Sequence, residues 1–571
     1  MNINRLYGLI LIVFLQSNTL TGQISFLDKS INLGLNVSAG SSYLGNGISF
    51  CDYDGDGWDD ITLTTDDTQG VRFFKNINGT SYVEQFYNIS NLLSQTKQVN
   101  WVDIDNDGDK DLFVTSDTVG NKLFLNTGNF VFQDITIVSG MDVSNTFSFG
   151  ASWGDYNNDG FLDVFVSNRS QTIANVLYRN NGDNTFTNVN VLAGISTLGH
   201  MAFCSAFFDF NNDGFQDIYV STDKYGYENL LYKNNGNGTF TDVSVSSGTN
   251  INIDAMSVTI DDFNNDGFQD IYITNSQLGN VLFKNNGDET FTDIASSSGT
   301  TFNSIGWGAV FLDADLDTDL DLYVSSEFDG SIPIFLSAAF YESNGDETFN
   351  LSNSSFNNDE ASSFSNAVGD VNNDGKLDIV VTNNFNENIY LWQNFTTTTN
   401  NYLKVNLEGV QSNKDGIGSI IEISINGVKQ YRYTHCGEGY LSQNSSSEIF
   451  GLGTNTTIDY VKVTWLSGIQ DVFFNVASNQ TLNIVEGSST LSMPSFINKS
   501  FVELYPNPVK DLLNVKSKYL IEQLNIYNIM GKKVLEKNNT NIVDLGELSS
   551  GVYIIKVRTS VSTSTHRFVK K

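Results

Sequence analysis

The sequence predicts an all-β protein: a seven-bladed β-propeller, then a small β-domain, then a C-terminal immunoglobulin-like β-sandwich. Three observations predict it. Seven acidic nine-residue segments recur at near-constant spacing, and Asn-Gly pairs between short apolar runs follow many of them. The composition, with 48 Gly, abundant Asn, Asp and Thr, and 12% aromatic residues, favours strands joined by tight turns over helices.

At the start of the chain, Arg5 precedes an apolar run, Leu6 to Leu15, that is too short to span a bilayer. This pattern reads as a secretory signal over residues 1–22, with cleavage expected near Gly22–Gln23. No later segment is apolar enough for a transmembrane helix, so the mature chain is expected to be secreted or attached to an outer surface. Acidic residues outnumber basic ones 65 to 30, a formal charge of −35, which discounts nucleic acid and anionic lipid as partners. With 40% apolar residues the chain is nevertheless composed to fold. Export permits disulfides, but Cys51, Cys204 and Cys436 are too few and odd in number for a disulfide framework. Cys51 and Cys204 lie in apolar, strand-like runs and read as small core residues.

The repeats follow the template D-x-[DN]-x-D-G-x-x-D, with one departure. They begin at Asp52, Asp103, Asp155, Asp209, Asp262, Asp313 and Asp370, at spacings of 51, 52, 54, 53, 51 and 57 residues. A period in this range marks a propeller or solenoid. In each unit an apolar run enters the loop, as at Phe147–Trp153 or Met201–Phe208. A Val-, Ile- and aromatic-rich run leaves it, as at Asp163–Val166 or Asp217–Val220. A third strand, such as Leu177–Arg179 or Leu231–Lys233, ends at Asn181–Gly182 or Asn235–Gly236. A fourth comes next, such as Thr185–Val189 or Thr239–Val243. Four antiparallel strands make one blade, and seven blades over residues 23–400 can close on themselves and leave few exposed strand edges.

The loops have the residue types of calcium sites. Calcium takes six to eight oxygen ligands, and alternate acidic residues in a tight turn can aim carboxylates at one centre. The expected ligands stand at positions 1, 3, 5 and 9 of each loop. The first two loops offer Asp52, Asp54, Asp56 and Asp60, then Asp103, Asp105, Asp107 and Asp111. The next three offer Asp155, Asn157, Asp159 and Asp163; Asp209, Asn211, Asp213 and Asp217; and Asp262, Asn264, Asp266 and Asp270. The last two offer Asp313, Asp315, Asp317 and Asp321, then Asp370, Asn372, Asp374 and Asp378. Position 6 is Gly, which takes the left-handed conformation freely, except in the sixth loop, where Thr318 stands there. A β-branched residue is strained at positive φ, so the sixth of up to seven Ca²⁺ sites is expected to be the weakest. An EF-hand would need a bidentate Glu at position 12; Leu63, Val114, Val166, Val220, Ile273, Val324 and Val381 stand there instead. An Asp/Asn-rich hairpin turn alone explains one such segment but not seven in register.

These loops and their spacing resemble the FG-GAP or VCBS repeats of integrin α-like propellers. The resemblance implies the fold and calcium binding, and leaves the ligand open, because such propellers serve adhesion, glycan binding and sometimes catalysis. Residues 401–487 resemble an ASPIC/UnbV domain through Asn413–Lys414–Asp415–Gly416–Ile417–Gly418, Gly437–Glu438–Gly439–Tyr440–Leu441–Ser442–Gln443, Phe450–Gly451–Leu452–Gly453 and Trp465–Leu466–Ser467–Gly468. Many relatives have Pro where Leu466 stands. From composition alone this is a small β-domain docked on the propeller.

Residues 488–500 read as a Ser/Gly linker. Charge then changes sign: residues 499–571 carry a net +6, leaving −41 for the remainder. Residues 501–571 resemble a type IX secretion sorting domain through Leu504–Tyr505–Pro506–Asn507–Pro508, Asn525–Ile526–Tyr527–Asn528 with Met530–Gly531–Lys532, and Leu548–Ser549–Ser550–Gly551–Val552–Tyr553, with the basic end Lys570–Lys571. The resemblance implies export through the type IX machinery.

No catalytic constellation stands out. His200, His435 and His566 are scattered, and no P-loop, dinucleotide fingerprint, G-x-S-x-G elbow or zinc signature occurs. The favoured expectation is a calcium-stabilised extracellular binding or adhesion module for glycan or protein, at the rim or channel mouth of the propeller. The alternatives are a polysaccharide-active lyase or hydrolase on the same scaffold, since paired carboxylates are abundant, and a structural component of a matrix or surface layer.

Overall fold

A computed structural model describes residues 23–89, 93–224, 226–489, 502–517, 520–528, 532–559 and 563–571. The expected signal segment, most of the linker and Met530–Gly531 lie outside the described residues. The chain divides into two compact units at Ser489–Thr490.

The first unit contains seven antiparallel sheets built on one plan. The third is representative: Ser148–Gly154, Asp163–Asn168, Val176–Asn180 and Phe186–Asn188 pair in chain order. Its first strand is buried along its whole length, whereas its fourth buries only Phe186. That gradient runs from the centre of a ring to its rim. The first strands of successive sheets are Ile48–Cys51, Thr96–Val102, Ser148–Gly154, Ala202–Phe208, Thr259–Asp261, Gly306–Leu312 and Ser363–Gly369. Each touches the next, and the last touches the first. The seventh sheet takes its fourth strand from Phe26–Asp28, which pairs with Tyr390–Asn394 in the register Phe26↔Asn394. Both ends of the repeat region are thereby bonded into one sheet, so fraying at either end must break ladder hydrogen bonds.

Fourth strands are shorter than their apolar runs suggest. Phe186–Asn188 gives way to a one-turn helix, Asn190–Ala193, closed by Gly194 at φ 76°. The Asn-Gly signal marks the hairpins correctly, but the left-handed residues are Gly182 (φ 72°) and Asn184 (φ 63°), with Asn181 N–H closing a wider turn onto the Thr185 carbonyl at 2.9 Å.

The second domain of this unit has two sheets. One joins Glu448–Gly451, Tyr402–Glu408 and Gln480–Val485; the other joins Val428–Tyr433, Ile420–Ile425, Thr457–Thr464 and Gln470–Ala477. Leu403, Ile421, Phe450, Val461, Val463 and Trp465 form its core. This domain is more than docked on the propeller, because part of it threads the ring. Cys436–Gln443 runs into the middle of the ring and bonds to the first strands around it. Trp153 N–H donates to the Cys436 carbonyl at 2.9 Å, Gly439 N–H to the Val258 carbonyl at 2.6 Å, and Ser442–Gln443 pairs in parallel with Ile48–Ser49. The Gln443 amide accepts from Trp101 N–H and donates to the Trp101 carbonyl, both at 2.8 Å. At the tip, fully buried Tyr440 lies edge-on to Phe203 and Trp307, with centroids 5.7 and 4.8 Å away, and its hydroxyl donates to the Leu44 carbonyl. Gly437 has no alternative there: a Cβ would stand 2.1 Å from the Ala151 carbonyl. The segment therefore fills the channel. Cys51, Cys204 and Cys436 are all buried free thiols.

The second unit pairs Val502–Tyr505, Leu512–Ser517 and Ile542–Asp544 in one sheet, and Lys533–Asn538, Ile521–Asn528, Gly551–Thr559 and Thr563–Lys570 in another. Leu513, Val515, Leu524, Ile526, Ile555 and Phe568 are buried in its core.

If the channel segment carries stability, Tyr440→Ala empties a closely packed aromatic site and costs about 3–5 kcal/mol. The drop in urea midpoint measures it; an unchanged midpoint would show that the segment only occupies the channel.

Candidate metal centres

Each acidic loop joins the first strand of a sheet to its second, and its position-1 carboxylate shapes the turn. In the third loop Asp155 accepts the N–H groups of Asp159 at 3.0 Å and Gly160 at 2.8 Å. The same pair recurs at Asp52, Asp103, Asp209, Asp262, Asp313 and Asp370. In the sixth loop the second of these donors is Thr318, held at φ 96°, so the strain expected from the sequence is present.

Position 9 is a strut as well as a candidate ligand. Asp163 Oδ2 accepts from Tyr156 N–H, and its Oδ1 from Asn180 N–H at the end of the third strand. Asp111, Asp217, Asp321 and Asp378 repeat both bonds. The strand-end Asn then reaches backwards: Asn180 Nδ2 donates to the Ile104 carbonyl in the preceding loop at 2.8 Å. Asn76, Asn234, Asn285 and Asn394 make the matching bond to Val371, Tyr156, Phe210 and Ala314. Position 4 reaches forwards. Asn106, Asn158, Asn212 and Asn373 donate to the carbonyls of Gly160, Gly214, Gly267 and Gly57 in the next loop, the last of these crossing from the seventh loop to the first. The side chain at position 8 closes the set, with Gln216, Gln269 and Asp59 accepting the position-1 N–H of the neighbouring loop. In the second loop Asp415 of the second domain takes that part, accepting Asp103 N–H at 3.1 Å.

Sequence reasoning gave no role to positions 4 and 8 or to the strand-end Asn. The signal was present in the recurrence of Asn180, Asn234 and Asn285 one residue before the Asn-Gly pair, which drew all the weight as a turn marker.

The candidate ligands converge unequally. Carboxylate oxygens of Asp52, Asp54 and Asp60, of Asp103, Asp105 and Asp111, and of Asp313, Asp315 and Asp317 lie within 4.8 Å of one another. Asp56, Asp107 and Asp321 belong to the same loops but not to these triplets. In the four loops with Asn157, Asn211, Asn264 or Asn372 at position 3, no three acidic groups come that close among the described residues. There the Asn amide donates instead to the position-5 carboxylate, Asp159, Asp213, Asp266 or Asp374.

The donor set fits a hard cation. Asp54 Oδ1, Asp60 Oδ2, Asp105 Oδ1 and Asp270 Oδ2 are buried oxygens that accept no hydrogen bond, and an acceptor-only group left so is stabilised by a cation. Burial, reinforced by neighbouring carboxylates, pushes the position-1 groups up, to about 6 for Asp52, Asp103, Asp209 and Asp370 and about 7 for Asp155 and Asp262. Burial likewise pushes Asp111 to about 8 and Asp60 to about 9, and Asp163, Asp217, Asp270, Asp313, Asp321 and Asp378 well above the carboxylate range. A divalent ion reverses that balance by favouring the ionised form.

His200 Nε2 lies 2.8 Å from the Ser196 hydroxyl. His435 bonds through Nδ1 to the Phe207 carbonyl and through Nε2 to the Gln269 amide, and burial holds it down to about 4.

Comparison with known families agrees with this architecture. The description "FG-GAP-like repeat" matches residues 52–114, 103–166, 155–220, 209–273 and 262–324, and "FG-GAP repeat" matches 364–392. "ASPIC and UnbV" matches residues 409–491, and "Secretion system C-terminal sorting domain" matches 503–571. Human cartilage acidic protein 1 is 24% identical over 317 residues, which cover 49% of this chain and 47% of that protein. The chain thus spans about half the length of this curated relative. Similar solved structures include the extracellular domain of a putative hybrid two-component system from B. thetaiotaomicron, with TM-score 0.38, 12% identity, and 93% of this chain and 71% of that one covered. The BP39L lectin from Burkholderia pseudomallei gives TM-score 0.35, 10% identity, and coverage of 77% and 100%. The sorting domain is the mark of a protein that is secreted or attached to the cell surface, and no helix among the described residues is long and apolar enough to cross a membrane. The chain belongs to the FG-GAP repeat proteins, with an ASPIC and UnbV domain and a secretion-system C-terminal sorting domain following its propeller.

Proposed function

We propose that the seven loops bind Ca²⁺ and that the protein acts outside the cell as a calcium-stabilised binding module for glycan or protein, exported by the type IX machinery. The ligands are those expected from the sequence, positions 1, 3, 5 and 9 of each loop, with position 9 also serving as a strut. The orphaned buried oxygens of Asp54, Asp60, Asp105 and Asp270 support the cations.

One observation carries the binding role. The ASPIC/UnbV domain covers the loop face of the propeller, with Lys414 N–H on Asn106, Lys404 on Asn373, Tyr433 on Gly267 and Gly453 N–H on Leu316, and its inserted segment fills the channel. The opposite face stays open and presents Tyr43, Phe147 and Phe385, 59%, 46% and 62% exposed, on the loops beside the first strands. Exposed rings suit sugar faces and protein anchors alike.

A second reading, catalysis, has one observation in its favour: Asp261, Glu438, Glu448, Arg432 and His435 line a cavity at the seam between the ring and the ASPIC/UnbV domain. Its volume of about 60 Å³ is far below the ~300–1,000 Å³ of ligand pockets. Binding is therefore favoured. A polysaccharide array scored for retention and for product release separates the two, with retention lost in Tyr43→Ala and no product released; product release would overturn the binding role.

Chelation is expected to lower the melting temperature by at least about 3 °C, the shift for one site held at a hundred times its Kd in a unit of several hundred residues. An unchanged melt would contradict structural calcium. The metal-free protein should also lose stability as pH rises. Asp52, Asp60, Asp103, Asp111 and Asp155 titrate at about 6 to 9 in the folded chain, above the ~4 of an unfolded chain. The folded state therefore holds more protons between those limits, and the chelated protein melts lower at pH 8 than at pH 5. Calcium should invert this order, because it binds ionised carboxylates. The sixth site is expected to rank last in a site-resolved titration. Thr318 stands at φ 96°, so Thr318→Gly should raise the melting temperature with and without calcium.

A further inference from the structure

In the third to sixth sheets the hairpin between the third and fourth strands holds two residues in the left-handed region, a Gly and, two positions on, a residue whose identity varies around the ring. That second residue is Asn184, Gly238, Glu289 and Glu347 in turn, at φ 63°, 80°, 68° and 67°, and Phe130 takes the matching place in the second sheet at φ 57°. Asn and Gly accept this conformation readily, whereas Glu does not. Two glutamates in such a position call for a reason.

The reason lies across the blade boundary. Asn184 Nδ2 donates at 3.4 Å to Oδ2 of Asp105, position 3 of the preceding loop. At the fifth loop the two partners are exchanged: position 3 is Asn264, and its Nδ2 donates to Glu347 Oε1 at 3.2 Å. At the fourth loop Glu289 holds the matching hairpin position and pairs with Lys233. The second loop supplies the carboxylate and its neighbouring hairpin the amide, whereas the fifth loop supplies the amide and its neighbouring hairpin the carboxylate. Each pair keeps one negative charge and one hydrogen bond. The third loop, with Asn157 and a neighbouring hairpin that has Gly238, has no carboxylate in either place. The fifth loop also carries fully buried Asp270, whose Oδ2 has no partner.

We propose that Glu347 is a positioning carboxylate for the cation site of the fifth loop. It takes the Nδ2–H of Asn264, which leaves that amide's Oδ1 for the cation and returns the charge that Asn lacks. This inference rests on the calcium reading of the loops. Lys284 pairs with the same glutamate, but an exposed ion pair of this kind contributes little by itself. The site in this loop is thus shared between adjacent blades and should bind more tightly than the third.

The test needs one site at a time. Trp58 shows that an indole is tolerated at position 7 of a loop, so the terbium luminescence that full-length protein with Trp58→Phe and Phe268→Trp gains over Trp58→Phe alone reports the fifth loop, with calcium as competitor. Glu347→Gln should weaken calcium there about ten-fold. The exchange Asn264→Asp with Glu347→Asn, which copies the second loop, should restore affinity to within about two-fold. Lys284→Met should cause no loss. Unchanged affinity in Glu347→Gln, or an equal loss in Lys284→Met, would overturn the proposal while leaving the calcium reading intact. Absence of terbium at this loop with Glu347 present would overturn both.

Discussion

The whole ring depends on one buried carboxylate per blade. The aspartate that opens each second strand is removed from water, and a carboxylate there is tolerated only if its oxygens are bonded or face a cation. In most blades one oxygen takes the N–H of position 2 and the other the N–H of the strand-end asparagine, as at Asp163. That asparagine then spends its amide on the preceding loop, as Asn180 does on Ile104. The loop chemistry and the joining of blades are consequently one network. A cation that fixes the loop also fixes the seam on either side of it, which links metal binding to the stability of the closed ring.

The inserted ASPIC/UnbV segment sets a second constraint. A propeller's central channel is a natural ligand site, but here Tyr440 occupies it within a cage that includes Phe203 and Trp307. Asp415 completes the second loop in place of a blade residue, since position 8 of the third loop is Leu162 and cannot accept a hydrogen bond. The second domain is therefore part of the propeller's own bonding, and Tyr43, Phe147 and Phe385 remain exposed beside it.

Much of this was legible in the sequence because the repeats announce themselves. The period of the acidic loops, the Asn-Gly hairpins and the aberrant Thr318 all appear in the fold where they were expected. What was not legible has a common physical origin: it depends on which residues of different blades meet. Asn106 and Asn373 occupy template positions that look free until the next loop's glycine carbonyl is seen beside them. Tyr440 and Gln443 belong to a recognisable motif, yet nothing in its spelling shows that their partners are Trp307 and Trp101, more than a hundred residues away. The exchange of amide and carboxylate between Asn264 and Glu347 was equally hidden, because the two residues belong to different repeats.

Whether these loops hold cations that secure the ring is tested most directly by counting metal in the folded protein. Mass spectrometry of protein loaded with calcium and then freed of unbound ion gives the count, and anomalous scattering from crystals gives the positions. Calcium bound within the loops, in a stoichiometry rising toward seven per chain, is the predicted result. A folded, fully stable chain that retains no calcium at any loop would contradict it.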